Sequence, residues 1–293
     1  MVGLYRYPPE VNVRRFIGEI IYALSGAIGM LAFIYPFFLS NQANDSIGIA
    51  HGQDAALVTT ALVGLALIAL LVELQGQAIS AKTVAVLGVM VAITSVLRFI
   101  EVAIPMPGGF SPVFAPIILS SYVFGGRFGF LMGTFTMLVS ALITGGVGPW
   151  LPYQMFTAGW IGMTAGWLSR VMPHTPRTRP SKRWLPRTHR HRPLTIIVLS
   201  VFGFIWGLAY GMIINLYFWP FAIGPIQQAW TLGTSLGETL VRYTAFYVAT
   251  SLGWDLIRAV GNMMLILLLG APTVRALARF QRRFHFEVRS VDA

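Results

Sequence analysis

The chain has 293 residues, of which 56% are hydrophobic and only 11% charged, with a mean hydropathy of +0.69 and no cysteine. A soluble domain carries about a quarter charged residues, so this chain cannot cover a water-facing surface of its own size, and the same composition excludes disordered, collagenous and disulfide-rich classes; without a thiol there is no disulfide, thiolate metal site or cysteine nucleophile. The net charge of +11 is concentrated at Arg6, Arg14 and Arg15, between Arg170 and Arg192, and between Arg275 and Arg289, separated by long uncharged stretches, which argues for a membrane topology signal and against a nucleic-acid surface.

A bilayer-spanning helix needs about 20 mostly apolar residues. In chain order the candidate segments are about 16–39, 55–74, 83–104, 113–124, 128–144, 150–171, 194–219 and 240–270. The first is too long for a signal-peptide core, and no small-residue cleavage site follows it. The fourth is too short: about twelve residues rise about 18 Å, against a hydrocarbon core of about 30 Å. It contains Pro116, follows Pro112, and is expected to form a hairpin with the fifth segment, turning at Gly125 and Gly126. The last is too long, so residues 240–250 are expected to lie along the interface, with a bend near Ser251, Leu252 and Gly253. The fold class is therefore all-α, a polytopic membrane helical bundle of about eight transmembrane helices.

The stretches 40–54, 105–112, 145–149 and 220–238 contain no Lys or Arg, whereas Lys82, Arg127 and the 170–192 run lie in the opposite connections. With eight crossings, this places both termini and the 172–193 loop in the cytoplasm. That loop is rich in Pro and Arg, divides the chain into halves, and suits contact with anionic lipid headgroups or an acidic partner. Its histidines, His174, His189 and His191, have no carboxylate among them and read as a solvated basic loop rather than a metal site.

Ionisable groups at membrane depth are costly and point to function. Arg98 and Glu101 in the third segment, and Asp255 and Arg258 in the eighth, are each spaced to share one helical face, and all four fall towards the external end. They read either as an outward-opening polar pocket or as ion pairs that lock helices together. Trp150, Tyr153 and Gln154 follow the fifth segment, and Asn215 and Trp219 end the seventh, beside Tyr217 and Phe221. An interfacial aromatic belt accounts for any single ring, while Gln154, Asn215 and Asn262 at that depth must bond across helices or bind something polar. Ala81, Ala85, Gly88, Ala92 and Ser95 line one face of the third segment as a smooth strip for a helix of this chain or another subunit, and Gly129, Gly133, Gly159, Gly162 and Gly166 read as tight internal packing. No Walker A, HExxH or GxSxG motif is present, and no nucleophile or acid–base set suggests an enzyme. No catalytic, metal or cofactor residue is expected.

Residues 83–170 resemble the substrate-binding S component of energy-coupling factor (ECF) transporters. The likeness rests on the small-residue helix from Val84, the F-S-P-V-F start of a short helix at Phe110, the YVFGGRFGFLMG hairpin at Tyr122 and the GGVGPWLPYQ turn at Gly145. The second half, with NLYFWPF and a basic tail, is similar to the rest of the family, so 78–293 would form a six-helix membrane domain and 1–77 a two-helix N-terminal extension. The resemblance implies a subunit of a prokaryotic cell membrane that captures a vitamin or other micronutrient at its outer face and passes it inward by toppling, driven by a transmembrane T subunit and two cytoplasmic ATPases. It further implies that an alanine-rich strip docks on the T subunit; Ala81 with Ala85, and Gly88 with Ala92, match that spacing, while Val96 after Ala92 departs from it. The substrate leans towards cobalamin, with riboflavin, thiamine, pyrimidine precursors and queuosine precursors beside it. A self-sufficient secondary transporter of a small polar solute, or a membrane enzyme or assembly factor, are the alternatives.

Overall fold

The structure, a computed structural model, describes residues 81–104, 110–172, 193–222, 224–231 and 233–282, with scattered helical positions between 20 and 68. The basic loop at 173–192, the arginines of both tails and most of the segments 16–39 and 55–74 lie outside the described residues. The described elements are α1 (Ala81–Ala103), α2 (Phe114–Phe124), α3 (Gly126–Thr144), α4 (Leu151–Val171), α5 (Pro193–Phe218), a 3₁₀ turn (Trp219–Phe221), α6 (Leu236–Thr250) and α7 (Leu252–Arg282), with no strand among them. Four helices, α1, α3, α5 (with the 3₁₀ turn) and α7, are long and apolar enough to cross a bilayer. The protein is an all-α membrane bundle.

Helix α2 is the axis of this bundle. Nine of its residues are buried, and it touches α1, α3, α4, α5 and α7, which follow one another around it. A short helix whose ends lie inside a bilayer must have its end groups satisfied by other parts of the protein. At its start, Asn262 of α7 accepts from the Ala115 N–H at 3.0 Å. At its finish, Gly125 adopts φ 99°, where an L side chain would be strained, and its N–H donates to Ser121 O. Gln281 Nε2 donates to Val123 O at 3.0 Å, and the Tyr122 hydroxyl donates to Met172 O. The expected hairpin at Gly125–Gly126 is thus present.

Two seams bring helix backbones close together. Between α3 and α4, a Cβ on Gly126, Gly129, Gly133, Gly162 or Gly166 would run into backbone of the facing helix, at Met163, Gly162, Ala158, Gly129 and Gly126 respectively. Small residues allow such close approach, which is what drives helix association in lipid. Between α5 and α7, Gly203, Gly207 and Gly211 face Ile266, Ala259 and Asp255. Helix α4 is enclosed by protein along much of its length, with Met155, Phe156, Ala158, Ile161 and Ala165 fully covered. A helix that meets protein on most sides needs less apolarity than one that meets lipid.

The long last segment divides as expected. Helix α6 starts with Ser235, whose side chain accepts from the Glu238 N–H at 3.3 Å, and ends at Thr250; α7 begins at Leu252. Its Tyr243, Phe246 and Tyr247 face the protein, while Leu236, Leu240, Val241 and Val248 are exposed.

Candidate functional site

The hydrogen bonds define two ends of the bundle. Tyr122, Val123, Met172 and Gln281 meet at the end that carries Lys82, Arg127, Arg170, Arg275 and Arg279. Arg98, Gln154, Asn215 and Ser251 lie at the other end, which has no basic loop, and there the ionisable residues of α1 and α7 are brought together.

On the α1 side, the Arg98 guanidinium donates to Gln154 Oε1 of α4 at 3.1 Å, and Glu101 Oε2 accepts from the Ser111 hydroxyl at 2.8 Å. The i, i+3 spacing suggested that Arg98 and Glu101 would pair with each other; instead each reaches across to another element. On the α7 side, Arg258 does pair with Asp255, i, i+3. Arg258 also lies over the Tyr210 ring, 5.4 Å from its centroid, a cation–π contact. Tyr210 packs on Phe114 with centroids 4.6 Å apart. Its buried position lies in the field of all four ionic groups, and Glu101 feels both Arg98 and Arg258. The four charges therefore form one cluster around Tyr210, with two of each sign. At the short separations and low dielectric inside a bilayer protein they interact far more strongly than in water.

Of this cluster's polar atoms, Tyr210 Oη is buried without a hydrogen-bond partner among the described residues, while the Tyr247 hydroxyl and the Asp255 carboxylate have each other. Asp255 is 2% exposed. Its carboxylate occupies the space that a side chain at position 211 would fill, so glycine there is what admits it. A buried polar atom left unpaired costs about 1–3 kcal/mol, and the Tyr210 hydroxyl among four ionic groups marks a place where a polar ligand has a group to bind. Tyr210, Tyr247, Ser111 and Gly211 were not singled out from the sequence. The Gly203, Gly207, Gly211 series at intervals of four was the available signal.

The remaining expected residues divide by environment. Asn262 is fully buried and all of its amide groups serve backbone: Oδ1 takes the Ala115 N–H, and Nδ2 donates to Ser111 O at 3.2 Å and Arg258 O at 2.9 Å. Its geometry is that of a cap for α2. Asn215 Nδ2 donates to Ser251 Oγ at 2.7 Å and ties the end of α5 to the α6–α7 junction. Tyr153 is buried and stacks on Tyr217, with centroids 4.4 Å apart and an interplanar angle of 18°. Trp219 is 1% exposed, donates to Gln228 O at 2.7 Å and meets Tyr243 edge-on at 5.0 Å. Trp150 is 42% exposed and bonds only locally, to Gly146 O, as an interfacial ring does. A lateral groove of about 470 Å³ along α7, lined by Phe110, Leu256, Ile257, Val260, Gly261 and Met264, is apolar and includes none of the four ionic residues.

The small-residue strip of α1 splits. Ala85, Gly88 and Ala92 are exposed, and a Cβ on Gly88 would meet nothing. Ser95 is buried and its hydroxyl donates to Thr136 O of α3 at 3.4 Å. The side chain of Ala81 lies outside the described residues.

No curated protein and no solved structure matches the chain. Residues 78–184, just over a third of the chain, match the family described as the ECF-type riboflavin transporter, S component, so this part of the chain is similar to a membrane-embedded transport subunit.

Proposed function

We propose that the chain is an S component of an ECF transporter, that it captures a vitamin at the end of the bundle that carries Arg98, Glu101, Asp255 and Arg258, and that this end faces the outside of a prokaryotic cell. The orientation is supported by Lys82, Arg127, Arg170, Arg275 and Arg279 at the opposite end, which the positive-inside rule puts in the cytoplasm, with both termini. The observation that carries the reading is the cluster of four ionic groups around the unpaired Tyr210 hydroxyl. Groups placed only to bind helices together would leave no buried hydroxyl unpaired among them.

The cluster's formal charges cancel, so the ligand is neutral or zwitterionic. The Asp255 carboxylate and the Tyr210 and Tyr247 hydroxyls suit a ligand rich in hydroxyl or amide groups. Riboflavin, which the matched family's description names, has that chemistry and a small planar ring system. It therefore stands ahead of cobalamin, whose bulk is hard to fit where Asp255 already fills the space over Gly211. In this reading a T subunit and two cytoplasmic ATPases complete the transporter, and the T subunit docks on Ala85, Gly88 and Ala92 of α1. Ser95, turned inward to α3, lies outside that face.

Calorimetry of the purified protein against riboflavin, thiamine and cobalamin tests the proposal. Riboflavin is expected to bind without nucleotide, and Arg258→Ala to weaken it. If none of the three binds, the reading is wrong.

A further inference from the structure

The family match begins at residue 78, yet two aromatic side chains from well before it pack on residues that adjoin the proposed site. Phe33 is 6% exposed and lies 4.9 Å from Tyr153, near edge-on, and 5.8 Å from Trp160. Phe37, also helical, lies 6.0 Å from Trp219 and 5.8 Å from Trp230, steeply inclined to both. Four residues before Phe33, a Cβ on Gly29 would strike the Phe156 and Trp160 rings, so the chain is seated closely on α4 there.

Each contact bears on a different wall of the site. Tyr153 stacks on Tyr217 of α5, and its neighbour Gln154 holds the Arg98 guanidinium. Trp219 packs on Tyr243 of α6, whose hydroxyl donates to Met212 O, one residue from Gly211, on which the Asp255 carboxylate rests. Phe33 thus braces the Arg98 wall and Phe37, four residues on, the Asp255 wall. Edge-to-face aromatic contacts are directional as well as apolar, so they fix orientation where plain burial would not. We propose that Phe33 and Phe37 are positioning residues for the vitamin site, so that the receptor includes part of the chain outside the family match.

This rests on the capture site proposed above, and the test separates the two. Riboflavin binding is measured on the purified full-length protein, in parallel with thermal unfolding and near-ultraviolet circular dichroism, which reports the fixed tyrosine and tryptophan rings. The variants are Phe33→Ala, Phe37→Ala, the double change, Phe33→Leu with Phe37→Leu, Arg258→Ala, and Val274→Ala as a buried control on α7 towards the basic end. The double alanine variant is expected to lose about tenfold or more in affinity, the order expected from losing these ring pairs, along with part of its aromatic dichroism. The leucine pair is expected to recover the melting temperature but not the dichroism or the full affinity. Val274→Ala is expected to lower the melting temperature while leaving affinity unchanged. If the double alanine variant binds riboflavin as the parent does while Arg258→Ala does not, the positioning role is overturned and the capture site stands. If Val274→Ala loses affinity in proportion to its melting temperature as the phenylalanine variants do, the effect is general destabilisation and the positioning role is again overturned. If the parent binds no riboflavin, both proposals fall for this vitamin.

Discussion

The α3–α4 seam and the α5–α7 seam are built from the same device and serve different ends. Both pair antiparallel helices through glycines three or four residues apart. In the first, Gly129 and Gly133 meet Gly162 and Ala158 backbone to backbone, so nothing but main chain and small side chains meets along those contacts. In the second, the space opened by Gly211 is filled by the Asp255 carboxylate, and Asn262 sits near Gly203. Lipid tails are as apolar as leucine, so helices associate there by close packing and interhelical hydrogen bonds. The first seam is almost entirely packing, crossed by the Thr134 hydroxyl donating to Met155 O at 3.5 Å. The second gives up some of the packing to hold a buried charge at one end, and that is where the proposed capture site lies.

Substitutions sharpen this contrast, taken from the largest expected change in the isolated protein to the smallest. Gly133→Val should prevent recovery of folded protein in detergent. Its Cβ meets the Ala158 carbonyl, and backbone cannot yield as a side-chain tip can, so the cost exceeds the ~1–3 kcal/mol of ordinary overpacking. A monodisperse, ligand-binding Gly133→Val protein would show that the seam is looser than described.

Asn262→Ala should come next. It removes the acceptor of the buried Ala115 N–H and the donor to Ser111 O, so a cost of about 2 kcal/mol or more is expected in thermal unfolding. The protein that remains folded should bind riboflavin within about threefold of the parent, since a small free-energy difference is all that a shift in the neighbouring Ser111 would cause. A large loss of affinity without loss of stability would return Asn262 to the ligand. Gly211→Ala should show the reverse balance. The new methyl occupies the space of the Asp255 carboxylate and turns it out of the cluster, so affinity should fall by about tenfold or more, while unfolding changes by no more than ~1–3 kcal/mol.

The sequence pattern displayed most of this architecture wherever the signal was local. The glycine pair at Gly125–Gly126, the break before Leu252 and the small residues of α3 and α4 all appear as short-range features, and the structure has a turn, a helix junction and a seam at those places. The α5 glycines are spaced as regularly, but Trp206 and Tyr210 stand among them and the stretch reads as a generic apolar span. The role of Asn262 was hidden for another reason. An amide in a membrane helix bonds either to a ligand or to the protein, and its partner at Ala115 lies 147 residues away in the chain, so spacing could not choose between them. Arg98 and Glu101 misled in the same way, because the i, i+3 rule describes an isolated helix whereas Gln154 and Ser111 come from other elements. The membership of Ser95 in the small-residue strip was a matter of degree. At 3.6 residues per turn it stands at the edge of the arc nearest the buried Val91, so its hydroxyl finds α3.

That division of α1 sets up the smallest change expected in the receptor itself. Ala85 and Ala92 are exposed on a wall remote from the ionic cluster, so a larger apolar side chain there meets no protein atom of this chain that must move. Ala85→Leu should therefore leave the melting temperature and riboflavin affinity of the isolated subunit as they were. In liposomes that also contain a T subunit and its ATPases, the same change should abolish ATP-driven uptake, because the added bulk holds an approaching helix away from a strip whose use depends on closeness. Ser95→Ala, by contrast, should leave uptake intact and act only through the bond to Thr136 O. If Ser95→Ala blocked uptake and Ala85→Leu did not, the docking face would lie on the α3 side of α1, and the exposed strip would be no more than surface for lipid.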